Sequence, residues 1–413
     1  EELLAQAQTL AEGLEAEQPL LAARVYRSRG RLLGEGNELA LPDELLARSL
    51  RLLRSATTGE SLQVAETLFQ FAELKRRQNL PEQAKALGEE ALELRRAAGA
   101  DVLRIAASLN QLTMIERGLG RHAQAEGMLR ESLALMALRL PDAHPRIGEA
   151  KADLAMVLRR QGELEPALPL YLESIDALRS SRGQHHPSVG IVLGNLGNLY
   201  AQMDRLDEAE AAHREALLIH GMHFGARHAR VALAWNELGT SLRRRGKLEE
   251  AIEAFRKAVA ALPESHAAWN DAFRRNLIIA LIEAGQAQSA LEELALAQRL
   301  LQEADHSDRD LAILHRWGAR AWLLAGDHQA SRSEALLAIE RFGTGEDGGP
   351  ALADCFHVLG EALLGLDKPA EGAEALRTAL SLYEGMTTPP TSAVTQVRSQ
   401  LERALARAHE RLP

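Results

Sequence analysis

Residues 235–259 read WNELGTSLRRRGKLEEAIEAFRKAV, and three small residues, Gly239, Ala251 and Ala258, stand there among bulkier apolar neighbours. Residues 193–217, LGNLGNLYAQMDRLDEAEAAHREAL, carry small residues at the same relative places, 42 residues earlier. A helical sequence that repeats such a pattern at a fixed period is typical of a tandem array. The recurrence of these small residues is therefore the first feature to follow along the chain.

A turn residue lies five positions before the second small residue and twelve positions before the third. The same arrangement recurs at intervals of 39 to 42 residues along the chain. The nine turn markers are Asn37, Asn79, Gly120, Gly162, Asp204, Gly246, Gly285, Gly326 and Asp367. Gly, Asn and Asp tolerate the left-handed backbone that ends one helix and lets the chain reverse. We therefore predict nine units, each a pair of antiparallel helices.

The composition predicts the same fold class. The 413 residues are 46% hydrophobic but only 4% aromatic. Ala, Leu, Glu and Arg, which favour helices, dominate, whereas Val and Ile are too few to build extended sheets. The predicted fold class is all-α.

The small residues have a packing role in this prediction. Gly239 on the first helix of the sixth unit and Ala251 on the second let the two backbones approach, while Phe255 fills the flank. Ala258 allows the same approach to the following unit, and Pro263 stops the second helix. We expect a side chain of a neighbouring helix to fill the space above each of these small residues.

This pattern resembles the tetratricopeptide repeat, whose signature places Trp, Leu, Gly, Tyr, Ala, Phe, Ala and Pro in this order. In the sixth unit Leu242 stands in place of the Tyr. The sixth unit matches at Trp235, Leu238, Gly239, Ala251, Phe255, Ala258 and Pro263. The resemblance implies a right-handed superhelical α-solenoid of about nine helix pairs. Units of about 42 residues that begin with His-Pro, as in LPDAHPRIGEA (140–150) and RGQHHPSVGIV (182–192), are similar to the repeats of kinesin light chains and their bacterial relatives.

Three segments are predicted around this array. Residues 1–22 form an N-terminal helical segment, residues 23–388 the nine repeats, and residues 391–413 a capping helix that covers the last apolar face. Residues 17–33 resemble the start of repeat regions that follow the kinase domain of bacterial serine/threonine kinases. The chain itself contains no Gly-rich phosphate loop and no HRD or DFG motif.

Net charge and cysteine content narrow the functional classes. A formal charge of −10 argues against general attraction to nucleic acid, and no apolar run is long enough for direct membrane insertion. The single Cys355 excludes a disulfide framework and is expected to be a small buried residue. We expect a cytoplasmic protein; a membrane segment preceding Glu1 in a longer parent would place the array in the periplasm. Homodimerisation stays open.

Candidate binding residues follow from the geometry expected of the array, in which first helices line the concave surface. With position 1 set fourteen residues before each turn marker, positions 2, 5, 6, 9, 12 and 13 are predicted to face the groove. Amides recur at these positions: Gln70, Asn110, Gln111, Asn195, Asn198, Asn236 and Asn276. Since an amide both donates and accepts, a ladder of them suits the main chain of a bound peptide. The alternative is that these amides are simply solvated.

Arginines form a second set, at the ends of first helices. They are Arg76, Arg77, Arg117, Arg159, Arg160, Arg243 and Arg244, and the fifth unit and the seventh to ninth lack them. Together they predict a cationic strip suited to an acidic partner segment. The alternative is that they stabilise the helix dipole and point to water.

No catalytic residue, cofactor or metal site is predicted. His213, His220, His223 and His228 cluster near a predicted loop and His185 and His186 near another, but no metal-binding motif accompanies them. Trp317 falls on a predicted groove position and Trp322 on a core position.

The favoured function is a non-enzymatic scaffold or regulatory module that binds a peptide or helical segment of a protein partner, with preference for acidic segments. The alternative is a sensor, in which a small molecule or peptide changes the array and so controls an attached kinase or transcription factor.

Overall fold

A computed structural model describes residues 2–36, 39–55, 61–263, 267–303, 308–343 and 349–409. These residues form twenty α-helices and no strand, which confirms the predicted all-α class. The chain divides into two compact units, Glu1–Arg205 and Leu206–Pro413.

The first unit consists of ten helices within its described residues. They are α1 (Glu2–Leu14), α2 (Pro19–Leu33), α3 (Ala40–Ser55), α4 (Ser61–Arg77), α5 (Pro81–Ala97), α6 (Val102–Gly118), α7 (His122–Ala137), α8 (Pro145–Gln161), α9 (Leu164–Arg182) and α10 (Pro187–Gln202).

The second unit also consists of ten helices within its described residues. They are α11 (Leu206–Phe224), α12 (Ala229–Arg244), α13 (Leu248–Ala261), α14 (Ala267–Glu283), α15 (Ala287–Glu303), α16 (Asp308–Ala325), α17 (His328–Phe342), α18 (Gly349–Gly365), α19 (Pro369–Glu384) and α20 (Thr391–His409).

Helices α2 to α19 follow one another as nine pairs, which we number repeat one (α2 and α3) to repeat nine (α18 and α19). Even-numbered helices are the first helices and odd-numbered helices the second. The two helices pack against each other in every repeat that lies within one unit, while α10 ends the first unit and α11 begins the second. The boundary predicted at residue 23 falls inside α2, and the division into terminal segments and array remains a prediction.

Eight of the nine predicted turn markers have the left-handed backbone that the sequence requires. Their φ angles are positive at Asn79, Gly120, Gly162, Asp204, Gly246, Gly285, Gly326 and Asp367, and Asn37 lies outside the described residues. At Gly246, whose φ is 74°, the N–H of Lys247 donates to the carbonyl of Leu242 at 3.0 Å and the N–H of Gly246 to that of Arg243 at 2.9 Å. This pair of bonds caps α12 and turns the chain into α13.

Three first helices begin at a histidine cap. The Nδ1 atoms of His144, His186 and His228 accept from the backbone N–H two residues further on, at 3.2, 3.2 and 3.1 Å. Pro145 and Pro187 occupy the first position of α8 and α10, where a proline has no helical hydrogen bond to lose. The His-Pro pairs of the sequence are therefore helix starts.

The small residues lie beneath large side chains of the neighbouring helix. A Cβ atom on Gly239 would meet Cε1 of Phe255 at 2.7 Å, and one on Gly360 would meet Cγ of Leu376 at 2.6 Å. Phe255 and Leu376 are fully buried, so neither can move aside. In repeat six the predicted contact across Gly239 is thus confirmed.

The third small residue packs toward the next repeat, as predicted for repeat six. Ala258 on α13 shares a buried cluster with Phe273 on α14. A second cluster continues from Leu238 on α12 through Leu277 on α14 to Leu314 on α16. The core of the second unit is therefore continuous from one repeat to the next.

One buried guanidinium joins three helices of the first unit. Arg95 on α5 is 3% exposed, and it donates to the carbonyl of Arg104 at 2.9 Å and to Oγ of Ser108 at 2.8 Å, both on α6. Its other nitrogen donates to Oε2 of Glu66 on α4 at 2.8 Å, and its carbon lies 4.5 Å from the ring centre of Phe69. These contacts fix the positions of Glu66 and Phe69.

We expect Gly239→Ala to destabilise the chain by about 1–3 kcal/mol, because the added methyl group overpacks against Phe255. Gly221→Ala on α11 is the matched control, since no atom lies within 4 Å of its Cβ position. It should stabilise the helix by about 0.5–1 kcal/mol. Urea denaturation of both variants measures the difference, and equal stabilisation of both would contradict the packing described.

Arg95→Lys should destabilise the chain by about 1–3 kcal/mol, because an ammonium group cannot bond all three partners of the guanidinium at once. Arg96→Lys, one residue along, is the control: Arg96 is 46% exposed and pairs with Glu131 at the surface. Its effect should stay below about 0.5 kcal/mol. Thermal unfolding compares the two, and similar melting temperatures would rule out a structural role for Arg95.

Candidate functional site

The first helices form a row within each unit. Helix α4 contacts α6 and α8 contacts α10 in the first unit, while α12, α14, α16 and α18 contact one another in succession in the second. We call positions 2, 5, 6, 9, 12 and 13 of these helices the groove face, and treat each unit separately. The predicted site residues lie on this face.

Several predicted amides bond to one another or to the chain. Nδ2 of Asn276 donates to Oδ1 of Asn236 at 2.8 Å, which joins two ladder members of the second unit. In the first unit, Nε2 of Gln111 donates to the carbonyl of Phe69 at 2.8 Å, and Gln111 is buried. These bonds connect successive first helices, so part of the amide ladder holds the face together.

Some of the predicted amides have oxygen atoms that accept no hydrogen bond from a described residue. Within the described part of the chain, Oε1 of Gln70, Oδ1 of Asn110 and Oε1 of Gln111 are buried without a hydrogen-bond partner. A buried acceptor without a donor costs about 1–3 kcal/mol, which a donor would offset. Asn195 and Asn198 lie half-buried on α10.

Three of the seven arginines of the predicted cationic strip form ion pairs inside the chain, which the sequence pattern did not reveal. Arg117 bonds to Asp153 on α8 at 2.8 Å, and Arg243 to Glu283 on α14 at 2.6 Å. Arg76 bonds to Glu73 on its own helix at 2.6 Å. Since Asp153 and Glu283 lie one repeat further along, these arginines connect neighbouring repeats.

The remaining strip residues have different surroundings. Arg159 is half-buried beside the phenol of Tyr171, whose pKa is raised by burial although Arg159 opposes that rise. Arg160 and Arg244 are exposed, and Arg160 forms no ion pair with any described residue. Arg77 is exposed and donates to the carbonyl of Gly36 at 2.9 Å.

Two further arginines lie on the groove face of repeat one, at positions 2 and 5 of α2. Nε of Arg24 donates to Oε1 of Gln63 at 3.0 Å, and Nη1 of Arg27 to the carbonyl of Gln63 at 3.4 Å. Burial lowers the pKa of Arg27; Glu66 opposes this and the like charge of Arg24 adds to it. Among the described residues, no carboxylate forms an ion pair with Arg24, Arg27 or Arg77. The register that selected the strip would also have selected Arg24 and Arg27.

A cleft of about 270 Å³ opens between α2 and α4, and of these three arginines Arg77 lines it. Leu46, Phe69 and Leu74 give it apolar walls, and Gln70 contributes its amide. Charged side chains at the same cleft are Arg31, Glu35, Glu73 and Arg77. Gly30 and Gly34 of α2 line it without side chains of their own, which leaves room for a guest side chain.

Two further clefts occupy equivalent places in the two units. One, of about 290 Å³, is lined by Ala107 and Asn110 between α6 and α8; the other, of about 170 Å³, is lined by Ala272 and Arg275 between α14 and α16. Both alanines stand at position 2. The other first helices carry larger residues there: Arg24, Glu66, Glu149, Ile191, Leu233, Ile313 and Asp354. A small residue at position 2 therefore accompanies each of these two openings.

Methionines add an apolar element that the sequence reasoning missed. Met114 and Met156 both stand at position 9, and Met114 is 48% exposed. Sulfur of Met156 lies 3.2 Å from Nη2 of Arg117. Because methionine adapts its shape, such residues suit a surface that contacts a bound chain.

In repeats eight and nine, charged residues of the groove face form ion pairs with one another. Asp354 is buried, and its carboxylate accepts hydrogen bonds from Nε of Arg320 at 3.1 Å and from Nη2 of the same residue. Nε of Arg316 lies 3.7 Å from Oδ2 of Asp354. Arg316 in turn lies 4.5 Å from the ring centre of Trp317, the tryptophan predicted for the groove. These arginines at positions 5 and 9 did not belong to the predicted strip.

The histidine cluster needs a correction. His213 and His220 were assigned to a loop region, but both are buried within α11. In the described part of the chain, no group of three His, Cys, Asp or Glu side chains could hold a metal ion.

Cys355 is buried as predicted, and burial raises the pKa of its thiol to about 12. None of the helices described has both the length and the apolar character that crossing a membrane requires.

Comparison with known protein families identifies the repeat in the middle of the chain. The tetratricopeptide repeat family matches residues 104–180, 146–220 and 188–264. No curated protein sequence matches the chain.

Three solved structures resemble the chain in fold. The apo form of RapI is 15% identical with a TM-score of 0.50, covering 67% of this chain and 97% of that one. A tetratricopeptide repeat protein from Parabacteroides merdae is 17% identical (TM-score 0.47; 73% and 98% covered). A putative kinesin light chain from Podospora anserina is 18% identical (TM-score 0.44; 50% and 97% covered). Residues 104–264 therefore match the tetratricopeptide repeat family.

Proposed function

We propose that the chain is a non-catalytic interaction module, and that the groove face of repeats one and two in the first unit binds an acidic segment of a protein partner that carries a bulky apolar side chain. The observation that supports this most directly is that Arg77, which forms no ion pair with a described residue, lines the apolar cleft at Gln70. Arg24 and Arg27, equally without an ion pair among the described residues, lie on the same groove face.

The charges of this region favour an anionic guest. Each nearby carboxylate faces another arginine: Glu66 pairs with Arg95, Glu73 with Arg76, and Glu35 lies 3.9 Å from Arg31. Arg24, Arg27 and Arg77 form no ion pair with a described residue, although the charge of Glu66 acts on Arg27. Guanidinium groups bond carboxylates with two parallel hydrogen bonds, and partial burial strengthens the attraction. The chain as a whole is acidic, which makes this local excess of positive charge distinctive.

The cleft supplies the apolar part of the recognition. Its volume of about 270 Å³ accommodates one large side chain, whose burial against Leu46, Phe69 and Leu74 contributes about 2–3 kcal/mol. Gln70 at the wall can bond the main chain of the same segment. Charge thus selects acidic segments, while the cleft sets the position of one residue.

The rest of the predicted site extends this surface within the first unit. Asn110 in the cleft of repeats three and four, with Asn195 and Asn198 on α10, offers further amides to an extended chain. The exposed Met114 offers apolar contact between them. We assign these residues a secondary role, because two carboxylates, Glu149 and Asp153, line the cleft at Asn110 together with Arg146.

Peptides of fifteen residues selected by phage display against the full chain test this proposal. The selected set should be rich in Asp and Glu around one large apolar residue. For such a peptide, Arg24→Glu with Arg77→Glu should weaken binding at least tenfold by fluorescence anisotropy, because two attractive contacts become repulsive. Affinity should also fall as salt is raised from 50 to 300 mM.

Arg51→Glu with Arg139→Glu is the matched control. Both are exposed, lie off the groove face and change the net charge equally. Circular dichroism checks that both variants keep their helicity. Equal loss of affinity in the two double variants, or selected peptides without acidic residues, would overturn the proposal. A thermal shift with metabolites but with no peptide would favour the sensor alternative instead.

A further inference from the structure

The interface between α11 and α12 in the second unit is rich in imidazole. His213 on α11 is buried, and its Nδ1 lies 2.8 Å from Oγ of Ser241 on α12. Two turns further along α11, His220 is 5% exposed, and its Nδ1 has no hydrogen-bond partner in the described part of the chain. A partnerless imidazole nitrogen is an unusual choice for a core position, where an apolar side chain would cost less.

An aromatic stack joins His220 to the helix cap. The ring centre of Phe224 lies 5.8 Å from that of His220 and 4.3 Å from that of His228, with which it is nearly parallel. His228 is the cap of α12, and its Nδ1 accepts from the N–H of Arg230 at 3.1 Å. The buried imidazole and the capping imidazole thus both lie against one ring, His228 stacked on it and His220 tilted at 43°.

Both imidazoles must be neutral for this arrangement to persist. A proton on Nδ1 of His228 would remove the lone pair that accepts from Arg230 and place a positive charge at the positive end of the α12 dipole. A proton on His220 would place a charge inside the interface. His213 differs, because the hydroxyl of Ser241 can serve as donor or acceptor.

The groups around His220 do not stabilise a positive charge on its ring. The titratable or charged groups that act on His220 are His223 on α11, His228 at the cap and Arg230 on α12, and all of them disfavour its protonated form. No carboxylate among the described residues is part of this group. Arg227 precedes the cap in sequence and is also cationic.

We propose that the α11–α12 interface is a proton-sensitive joint: in mild acid, uptake of a proton by His220 favours opening of the joint and release of the start of α12. This helix carries Asn236, Arg243 and Arg244 of the groove face, so the joint would let acidity alter that face in the second unit. The proposal is independent of the partner proposed above, which concerns the first unit.

The sign and size of the effect follow from linkage. Burial, followed by the charges of Arg230, His228 and His223, lowers the pKa of His220 from 6.5 to about 4. The opened form therefore takes up the proton first, and opening becomes more favourable as the pH falls below 6.5 until it levels off near 4. At pH 5 the opening equilibrium of His220 alone should be about 30-fold larger than at pH 7.5.

Hydrogen exchange of the full chain, followed by mass spectrometry over residues 225–235, tests this. After correction for intrinsic rates, protection in the unaltered chain should fall about 30-fold or more between pH 7.5 and 5. In His220→Leu with His228→Asn it should change less than threefold, because leucine does not titrate and asparagine keeps the cap without titrating. His185→Gln, at an exposed histidine that is not among the groups acting on His220, is the control and should behave like the unaltered chain.

Two results would overturn the proposal. One is protection of residues 225–235 that does not change with pH in the unaltered chain; the other is an equal loss in the double variant. If His220→Leu fails to fold, the NMR titration of ¹³C-labelled His220 replaces it: a ring that protonates near pH 6.5 in the native chain contradicts the joint, and one that stays neutral below pH 5 supports it.

Discussion

The two helices of a repeat approach closely because a large side chain on one fills the space above a small residue on the other. Phe255 over Gly239 and Leu376 over Gly360 are the tightest examples, and Leu46 over Gly30 repeats the contact in the first unit at 2.9 Å. This contact allows one rotation of each helix about its axis, since any other would place a large residue against a large one. The rotation in turn decides which residues of a first helix face the partner side.

Charge on that face is shared between neighbouring repeats. Arg117 and Arg243 each bond a carboxylate that lies one repeat further on, and Asn276 bonds Asn236 across the same step. A polar residue on one first helix therefore has its partner on the next, and few groups remain available to a guest. The exceptions gather at repeats one and two, where Arg24, Arg27 and Arg77 have amide or carbonyl partners instead of carboxylates.

Histidine has two structural roles in the central repeats. As a cap it starts α8, α10 and α12, and as a buried residue it occupies the interface of α11 with α12. Only at His228 do the two roles meet within the described residues, through the ring of Phe224. This junction therefore brings a helix cap and a buried imidazole together at one aromatic ring.

The sequence by itself determined the helix pairs, their period and their turns, since each depends on local properties: left-handed backbone at Gly246 or Asp367, proline at Pro187, and a small residue opposite Phe255. It also determined which helix positions share a face, and so selected Gln70 and Arg77. Whether Arg117 or Arg243 is neutralised, whether Gln111 is buried, and that His220 lies inside an interface were decided by the tertiary structure. Those outcomes depend on which side chain of the next helix comes within about 3 Å, a distance that no repeat period specifies.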